Sequence, residues 1–180
     1  APFGGKEKML GTNPFSAVIP VPNDDPIIID MATSVVAKSK FKEYKAEGKS
    51  LPEGWALDKN GDPTTDPDEA MSGLVLPMAG FKGYAISLLI DVIAGALSGS
   101  AYLNNVGRFY SDKSESMNIG FYVCVIDPSV VFGEGWGEVV KNYKKSIESS
   151  AAIEGRTVVL PGADRIKKAN LFFVGKGVDN

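Results

Sequence analysis

Two short stretches of this chain combine residue types suited to holding an anion or a flat ring. In the first, the β-branched run Ile27-Ile28-Ile29 hands over to Asp30-Met31-Ala32-Thr33-Ser34 and then to Val35 and a helix-like segment. The first N–H groups of a helix lack intrahelical partners and carry partial positive charge. Thr33 and Ser34 would add hydroxyl donors there, and Lys38 and Lys40 follow within two turns, a set that suits a pyrophosphate. The same residues also read as an ordinary N-cap with a solvated lysine face. Local sequence alone favours that plainer reading, because such caps open a large share of helices. The second stretch, Gly80-Phe81-Lys82-Gly83, follows similar logic. Small residues let backbone approach a ligand, an aromatic face covers a flat ring, and one ammonium meets a phosphate or hydroxyl. Taken singly, it also reads as a glycine turn with Phe81 in the core.

Other chemistry is scarce. The sequence has no histidine and one cysteine, Cys124, so neither a zinc cluster nor an internal disulfide is available. Proton transfer would fall to Asp30, Asp58, Asp66, Asp164 or a lysine, and no carboxylate pair stands out from ordinary caps and turns. Thr64-Thr65-Asp66-Pro67 reads as turn chemistry with a structural role. The dinucleotide fingerprint Gly-x-Gly-x-x-Gly does not occur between a strand and a helix, and there is no P-loop.

The elements that must position these residues alternate between strand and helix. Residues 15–19 have strand character and stop at a proline-rich breaker, 20–26; residues 27–29 form a strand buried on both faces, and 35–45 a helix. Residues 48–68 read as a long ordered loop anchored by Trp55 and Leu57. The turn 78–83 opens an apolar helix over 84–98, too short to span a membrane and expected to be buried. Residues 117–126 are the clearest strand of the second half. Residues 137–149 predict an amphipathic surface helix, with Val139, Val140, Tyr143 and Ile147 on one face and Lys141, Lys144 and Lys145 on the other. A last buried strand is expected at 157–160, followed by a weakly helical tail.

With 180 residues, 44% of them apolar, the chain is long enough for one globular unit with a continuous core. The 19 basic and 22 acidic residues give a net charge of −3, which provides no broad basic field for a phosphate backbone. Nucleic acid is therefore not an expected partner, and a cytoplasmic, metal-free protein without a membrane anchor fits best. The opening Ala1-Pro2-Phe3-Gly4-Gly5 has neither an initiator methionine nor a signal peptide, so a preceding segment of the native product is expected, with simple processing or tag removal as the plainer alternative.

Several blocks, in order, resemble the family of malate/L-lactate dehydrogenases that also includes ureidoglycolate, sulfolactate and diketogulonate enzymes. They are Gly11-Thr12-Asn13-Pro14, Ile29-Asp30-Met31-Ala32-Thr33-Ser34, Leu51-Pro52-Glu53-Gly54-Trp55-Ala56-Leu57-Asp58, Thr64-Thr65-Asp66-Pro67, Gly80-Phe81-Lys82-Gly83-Tyr84 and Leu160-Pro161-Gly162. The resemblance runs to about Asn170, leaving 171–180 as a divergent tail after a cofactor-binding domain at 1–170. It implies a three-layer α/β/α fold around a mixed sheet, distinct from the Rossmann fold, in homodimeric enzymes. It also implies that NAD or NADP lies against Ile29, Asp30, Met31, Ala32, Thr33, Ser34 and Val35, against Phe81 and Lys82, and against Gly162, Ala163 and Asp164. These three stretches are then expected to form one cleft.

In the family, the histidine that exchanges a proton with the substrate oxygen and the arginine that grips its carboxylate lie upstream of the segment beginning here. Neither has a counterpart in this sequence. A histidine often seen beside the strand matching Asn118-Ile119-Gly120 is here Phe121, which alters the edge of the active site. The expected activity of the whole protein is hydride transfer between NAD(P) and a small 2-hydroxy or 2-oxo acid such as malate or lactate. Two rivals remain: a non-catalytic nucleotide-binding or dimerisation module, and a phosphate-handling transferase. The second would need a metal-binding carboxylate pair near Thr33, and none is present.

Overall fold

A computed structural model describes residues 2–107 and 116–175, with side chains up to residue 169. Its mixed α/β elements gather into two compact units, Ala1–Phe15 with Met31–Val123, and Ser16–Asp30 with Cys124–Asn180.

The first unit is built around Phe41, Leu51, Ala56 and Ala70, with Val36, Tyr44, Trp55, Met71 and Val75 packed against them. Helix α1 (Ser39–Ala46) supplies Phe41, which is fully buried. It starts four residues later than the sequence pattern suggests, because residues 31–35 stay extended and pair with another segment instead. The expected loop at 48–68 contains β3 (Ala56–Leu57) and β4 (Pro63–Thr64), which with β5 (Leu74–Val75) form a small antiparallel sheet of strand order β4-β3-β5. Two-residue strands carry no period for a sequence pattern to reveal. Helix α2 (Pro67–Ser72) opens on Asp66, whose carboxylate accepts N–H bonds from Asp68 at 2.7 Å and Glu69 at 3.0 Å. The structural role assigned to Thr64–Pro67 is therefore observed.

Between β3 and β4, the Asp58 carboxylate accepts N–H bonds from Asn60, Gly61 and Asp62 at 2.8–2.9 Å. The bond from Asp62, with those from Asn60 and Gly61, holds its carboxyl below the ordinary carboxylate value. A folded-state value below the unfolded one means that this turn gains stability above about pH 4 and loses it as pH falls through the folded value. In Asp58→Asn the acid-side slope of unfolding free energy against pH should flatten, and an NMR titration of the wild-type Asp58 carboxyl should show the depressed midpoint.

Helix α3 (Phe81–Ile90) begins three residues before the expected start and continues into a π-helical turn, Asp91–Ala96. It was expected to be buried, yet only Gly83, Ser87 and Gly95 are. Leu89 is 55% and Leu97 77% exposed, because no described element of this unit covers that face. Residues 117–126 also depart from expectation: they form no strand, and Phe121, Val123 and Val125 are each more than four-fifths exposed. Strand propensity without a partner backbone makes no ladder.

In the second unit, β1 (Phe15–Val21) and β2 (Asp24–Met31) form a two-stranded sheet joined by Pro22-Asn23. The breaker expected over 20–26 thus shrinks to a two-residue turn, with Asn23 at φ 58° supplying the left-handed residue. Val21 and Ile27 pack on Val140 of α5 (Trp136–Glu148), with Ile19, Trp136 and Leu160 around them. The predicted helix is present, but its face is turned: Val139 and Tyr143 are exposed while Lys144 is buried. The Lys144 ammonium reaches the Asp24 carboxylate at 2.7 Å and the Asp25 carbonyl at 3.2 Å, which satisfies its charge in the interior. That contact also holds the Asp24 carboxyl below its ordinary range.

Helix α4 (Ser129–Phe132) is a single turn, and residues 157–160 form no strand, with Val159 62% exposed and Leu160 alone reaching the core. The weakly helical tail is α6 (Ala163–Gly175). Of the divergent segment 171–180, residues 176–180 lie outside the described residues.

Candidate functional site

The expected cofactor residues fall into two sets, one in each unit. In the first unit, residues 31–35 leave β2 in extended form and are tied down on both sides. Thr33 N–H donates to the Thr12 carbonyl at 3.0 Å, Val35 N–H to Leu76 O at 2.9 Å, and Met78 N–H to Thr33 O at 2.9 Å, with Ser34 bridging Pro77. These bonds carry the chain from residues 31–35 straight to the turn that opens α3. There Gly83 N–H donates to Met78 O at 3.0 Å and Tyr84 N–H to Gly80 O at 3.2 Å.

Gly83 is fixed by space, since a Cβ there would lie 2.2 Å from the Met78 carbonyl oxygen. The close turn sets Phe81 on the surface, 61% exposed, rather than in the core. Its ring meets Tyr84 at a centroid distance of 6.0 Å and Phe3 at 5.9 Å, both edge-on. Phe3, seventy-eight places away in sequence, could not have been paired with Phe81 from local pattern. Lys82 is also exposed, and among the described residues its ammonium has no ion-pair partner.

The helix expected to start at Thr33-Ser34 starts instead at Ser39. No helix opens at Thr33, so no row of free helical N–H groups is presented. Thr33 is 1% exposed, and its hydroxyl donates to Thr12 O at 3.0 Å; the Ser34 hydroxyl donates to Val36 O at 2.8 Å. Lys38 donates to Met71 O at 2.8 Å, and Lys40 pairs with Glu43. Met31 and Val35, each 38% exposed, alternate with buried Thr33 and form the accessible part of this stretch, with Ala32 half-buried. The helix start that does lie beside the candidate residues is that of α3.

In the second unit, Ile29 and Asp30 lie at the end of β2, beside Gly162, Ala163 and Asp164 at the start of α6. Ile28 N–H donates to Pro161 O at 3.3 Å, and a Cβ on Gly162 would lie 2.7 Å from both the Cβ and the carbonyl oxygen of Ile28. Gly162, Ala163, Asp164 and Arg165 line a cavity of about 220 Å³. Arg165 is a residue that sequence reasoning missed. Its guanidinium pairs with the Asp30 carboxylate and donates to the Asp30 carbonyl at 3.1 Å. The partners are 135 positions apart, so only folding reveals the pair.

The chain matches the malate/L-lactate dehydrogenase family over residues 1–171. It is 39% identical over 163 residues to the malate/(S)-sulfolactate dehydrogenase of Methanothermus fervidus, covering 90% of this chain and 46% of that protein. It is 36% identical over 167 residues to the (2R)-3-sulfolactate dehydrogenase (NADP(+)) of Chromohalobacter salexigens, covering 92% and 48%. Among solved structures, a dehydrogenase from Sinorhizobium meliloti superposes with a TM-score of 0.81 at 32% identity, over 94% of this chain and 50% of that one. The fold is thus the one that the resemblance implied, and the chain spans about half the length of the curated relatives it matches. On the match along nearly its whole length and the shared fold, this chain belongs to the malate/L-lactate dehydrogenase family.

Proposed function

We propose that residues 1–170 are the nicotinamide-cofactor-holding part of an oxidoreductase. The reaction is hydride transfer between NAD or NADP and the C2 carbon of a small 2-hydroxy or 2-oxo acid such as malate or lactate. The observation that carries this reading is the short turn joining residues 31–35 to an exposed aromatic ring and an ammonium without an ion-pair partner among the described residues. An apolar ring face, a single cation at a helix start and glycine turns fit the flat rings and phosphates of a dinucleotide. They do not fit a metal ion, which would need several oxygen, nitrogen or sulfur ligands converging on one point.

Met31, Val35 and Phe81 pack against the rings, Ala32 and Ser34 line the same stretch, and Lys82 meets a phosphate or ribose hydroxyl. Thr33 holds the stretch in place from inside, through Thr12. In the other unit, Ile29, Asp30, Gly162, Ala163 and Asp164 are a second set of cofactor-contacting residues. When bound, the cofactor supplies the hydride chemistry, and the residues of this chain bind and orient it. The sequence holds no histidine, so the proton-exchanging histidine implied by the family resemblance belongs to a segment outside it. The whole enzyme works as a cytoplasmic homodimer.

Charge-assisted hydrogen bonds to such groups contribute roughly 1.5–3 kcal/mol. Lys82→Ala should therefore weaken NADH or NADPH binding by about tenfold or more. Calorimetric titration of both proteins checks this, and equal affinities would remove Lys82 from the site. The absence of histidine favours a second reading for the chain taken by itself, a module that binds the dinucleotide and turns nothing over. Assay of NADH oxidation with oxaloacetate or pyruvate separates the two, since loss of the proton donor lowers the rate by about two to four orders of magnitude.

A further inference from the structure

Gly11-Thr12-Asn13-Pro14 contributes no residue to the proposed cofactor contacts, yet in the first unit it ties together the two stretches that do. On one side, the Thr12 carbonyl accepts both the N–H and the hydroxyl of Thr33, each at 3.0 Å. On the other, the Asn13 carboxamide donates to the Ser87 carbonyl at 2.8 Å, seventy-four positions away in the second turn of α3. The Gly83 N–H bond to Met78 O fixes where α3 begins. A helix held only at its start can swing about that point, and the Asn13 bond holds it a turn further on. The same segment reaches Phe81 at its other end, where Phe3 meets that ring edge-on at 5.9 Å. Between the two ends, the Lys8 ammonium donates to the Ser72 carbonyl at 3.4 Å, and the Lys6 side chain lies so close to Gly61 that a Cβ there would come within 2.9 Å of it.

We propose that residues 3–13 are a brace that sets the direction of α3, and with it the placing of Phe81 and Lys82, with Asn13 and Phe3 as its positioning residues. The inference rests on the cofactor reading above. Neither end of the brace has to touch the dinucleotide. Phe81 and Lys82 stand on the first turn of α3, so a change in the direction of that helix moves the ring and the ammonium together. Met31 and Val35 stay where Thr12, Leu76 and Met78 hold their stretch. Without the brace, α3 samples directions in which Phe81 and Lys82 do not meet a ligand lying on Met31 and Val35. Apparent affinity falls with the fraction of molecules that are ready to bind. Preorganisation of this kind acts through the free protein and adds no contact to the bound one.

The test compares Asn13→Ala and Phe3→Leu with Asp66→Ala. The last removes the cap of α2 in the same unit and, among the described residues, shares no hydrogen-bond partner with residues 3–13. Urea unfolding followed by Trp55 fluorescence in a Trp136→Phe background gives stability, and calorimetric titration with NADH or NADPH gives affinity. Amide hydrogen exchange of Gly83 and Tyr84 in the ligand-free protein reports the start of α3. Asn13→Ala should bind about three- to tenfold more weakly, the reach of one net hydrogen bond. Phe3→Leu should lose about two- to tenfold, the reach of one aromatic pair. In both, the Gly83 and Tyr84 amides should exchange faster. Asp66→Ala should lower stability yet leave affinity within about twofold and those two amides unmoved. Unchanged affinity or unchanged exchange in Asn13→Ala, or losses that Asp66→Ala matches, would overturn the brace and leave the cofactor reading standing. Should Asn13→Ala not fold, Phe3→Leu decides by the same criteria, since that ring is 58% exposed and lies outside the core. If the wild type binds neither dinucleotide, the cofactor reading falls, and exchange at Gly83 and Tyr84 alone decides whether Asn13 and Phe3 hold α3.

Discussion

Phe41→Ala is expected to destabilise the first unit by about 3–5 kcal/mol, the usual cost of emptying a fully buried phenylalanine site. Phe41 has no exposed surface, and its neighbours Leu51, Ala56 and Ala70 come from three different segments of the chain. None of those backbones can move inward without breaking its own ties: Leu51 N–H to Thr65 O at 2.7 Å, the β3 ladder, and Ala70 N–H to Asp66 O at 3.0 Å. The hole therefore stays open, and the loss sits at the upper end of what side-chain truncation gives. The two tryptophans make the effect readable by unit, because Trp55 packs on the Phe41 cluster and Trp136 on the Val21–Ile27–Val140 cluster. In a Trp136→Phe background, the urea transition seen by Trp55 fluorescence should fall sharply. A small shift would mean that this cluster is not what holds the first unit together.

How much of this was legible beforehand follows from where the deciding contacts lie along the chain. Helix α5 was legible because a 3.6-residue period is a local property, and so were β1 and the apolar run of β2. Which face of α5 turns inward was not. It depends on Lys144 meeting Asp24 and Asp25 about 120 residues upstream, and hydrophobicity alone assigned that place to Tyr143. The start of α1 was misplaced for a related reason: Val35 is drawn into pairing with Leu76, and tertiary pairing overrides helix propensity. Residues 117–126 have every compositional mark of a strand, but a ladder also needs a partner backbone. At the candidate site the residue types were readable and their environments were not. Phe81 looked equally suited to core or surface, and Asp30 gave no hint of Arg165. Glycine turns were the most informative signal, because close backbone approach at Gly83 and Gly162 leaves only one residue type possible.

Gly162 gives the second large effect. Substitution by alanine places a Cβ 2.7 Å from the carbonyl oxygen and the Cβ of Ile28, at a backbone φ of 85°. The positive φ costs roughly 1–2 kcal/mol for a residue with a Cβ, and overpacking against backbone adds roughly 1–3 kcal/mol. Gly162→Ala should thus lower the stability of the second unit by about 2–5 kcal/mol, seen as an earlier Trp136 transition in a Trp55→Phe background. Gly155 is the internal control, with φ 73° and nothing within 4 Å of the place where an alanine methyl would sit. Gly155→Ala carries the φ cost alone, so the difference between the two variants isolates the contact with Ile28. That difference bears on function as well as on folding, because the contact with Ile28 sets the distance between the end of β2 and the start of α6, where Ile29, Asp30 and Gly162–Asp164 meet. If Gly162 were there only to let a cofactor approach, both variants would lose equal stability without ligand, and Gly162→Ala would show itself in NADH affinity alone. A larger loss of stability for Gly162→Ala than for Gly155→Ala, accompanied by weaker NADH binding, is the outcome expected of a turn whose packing builds the site.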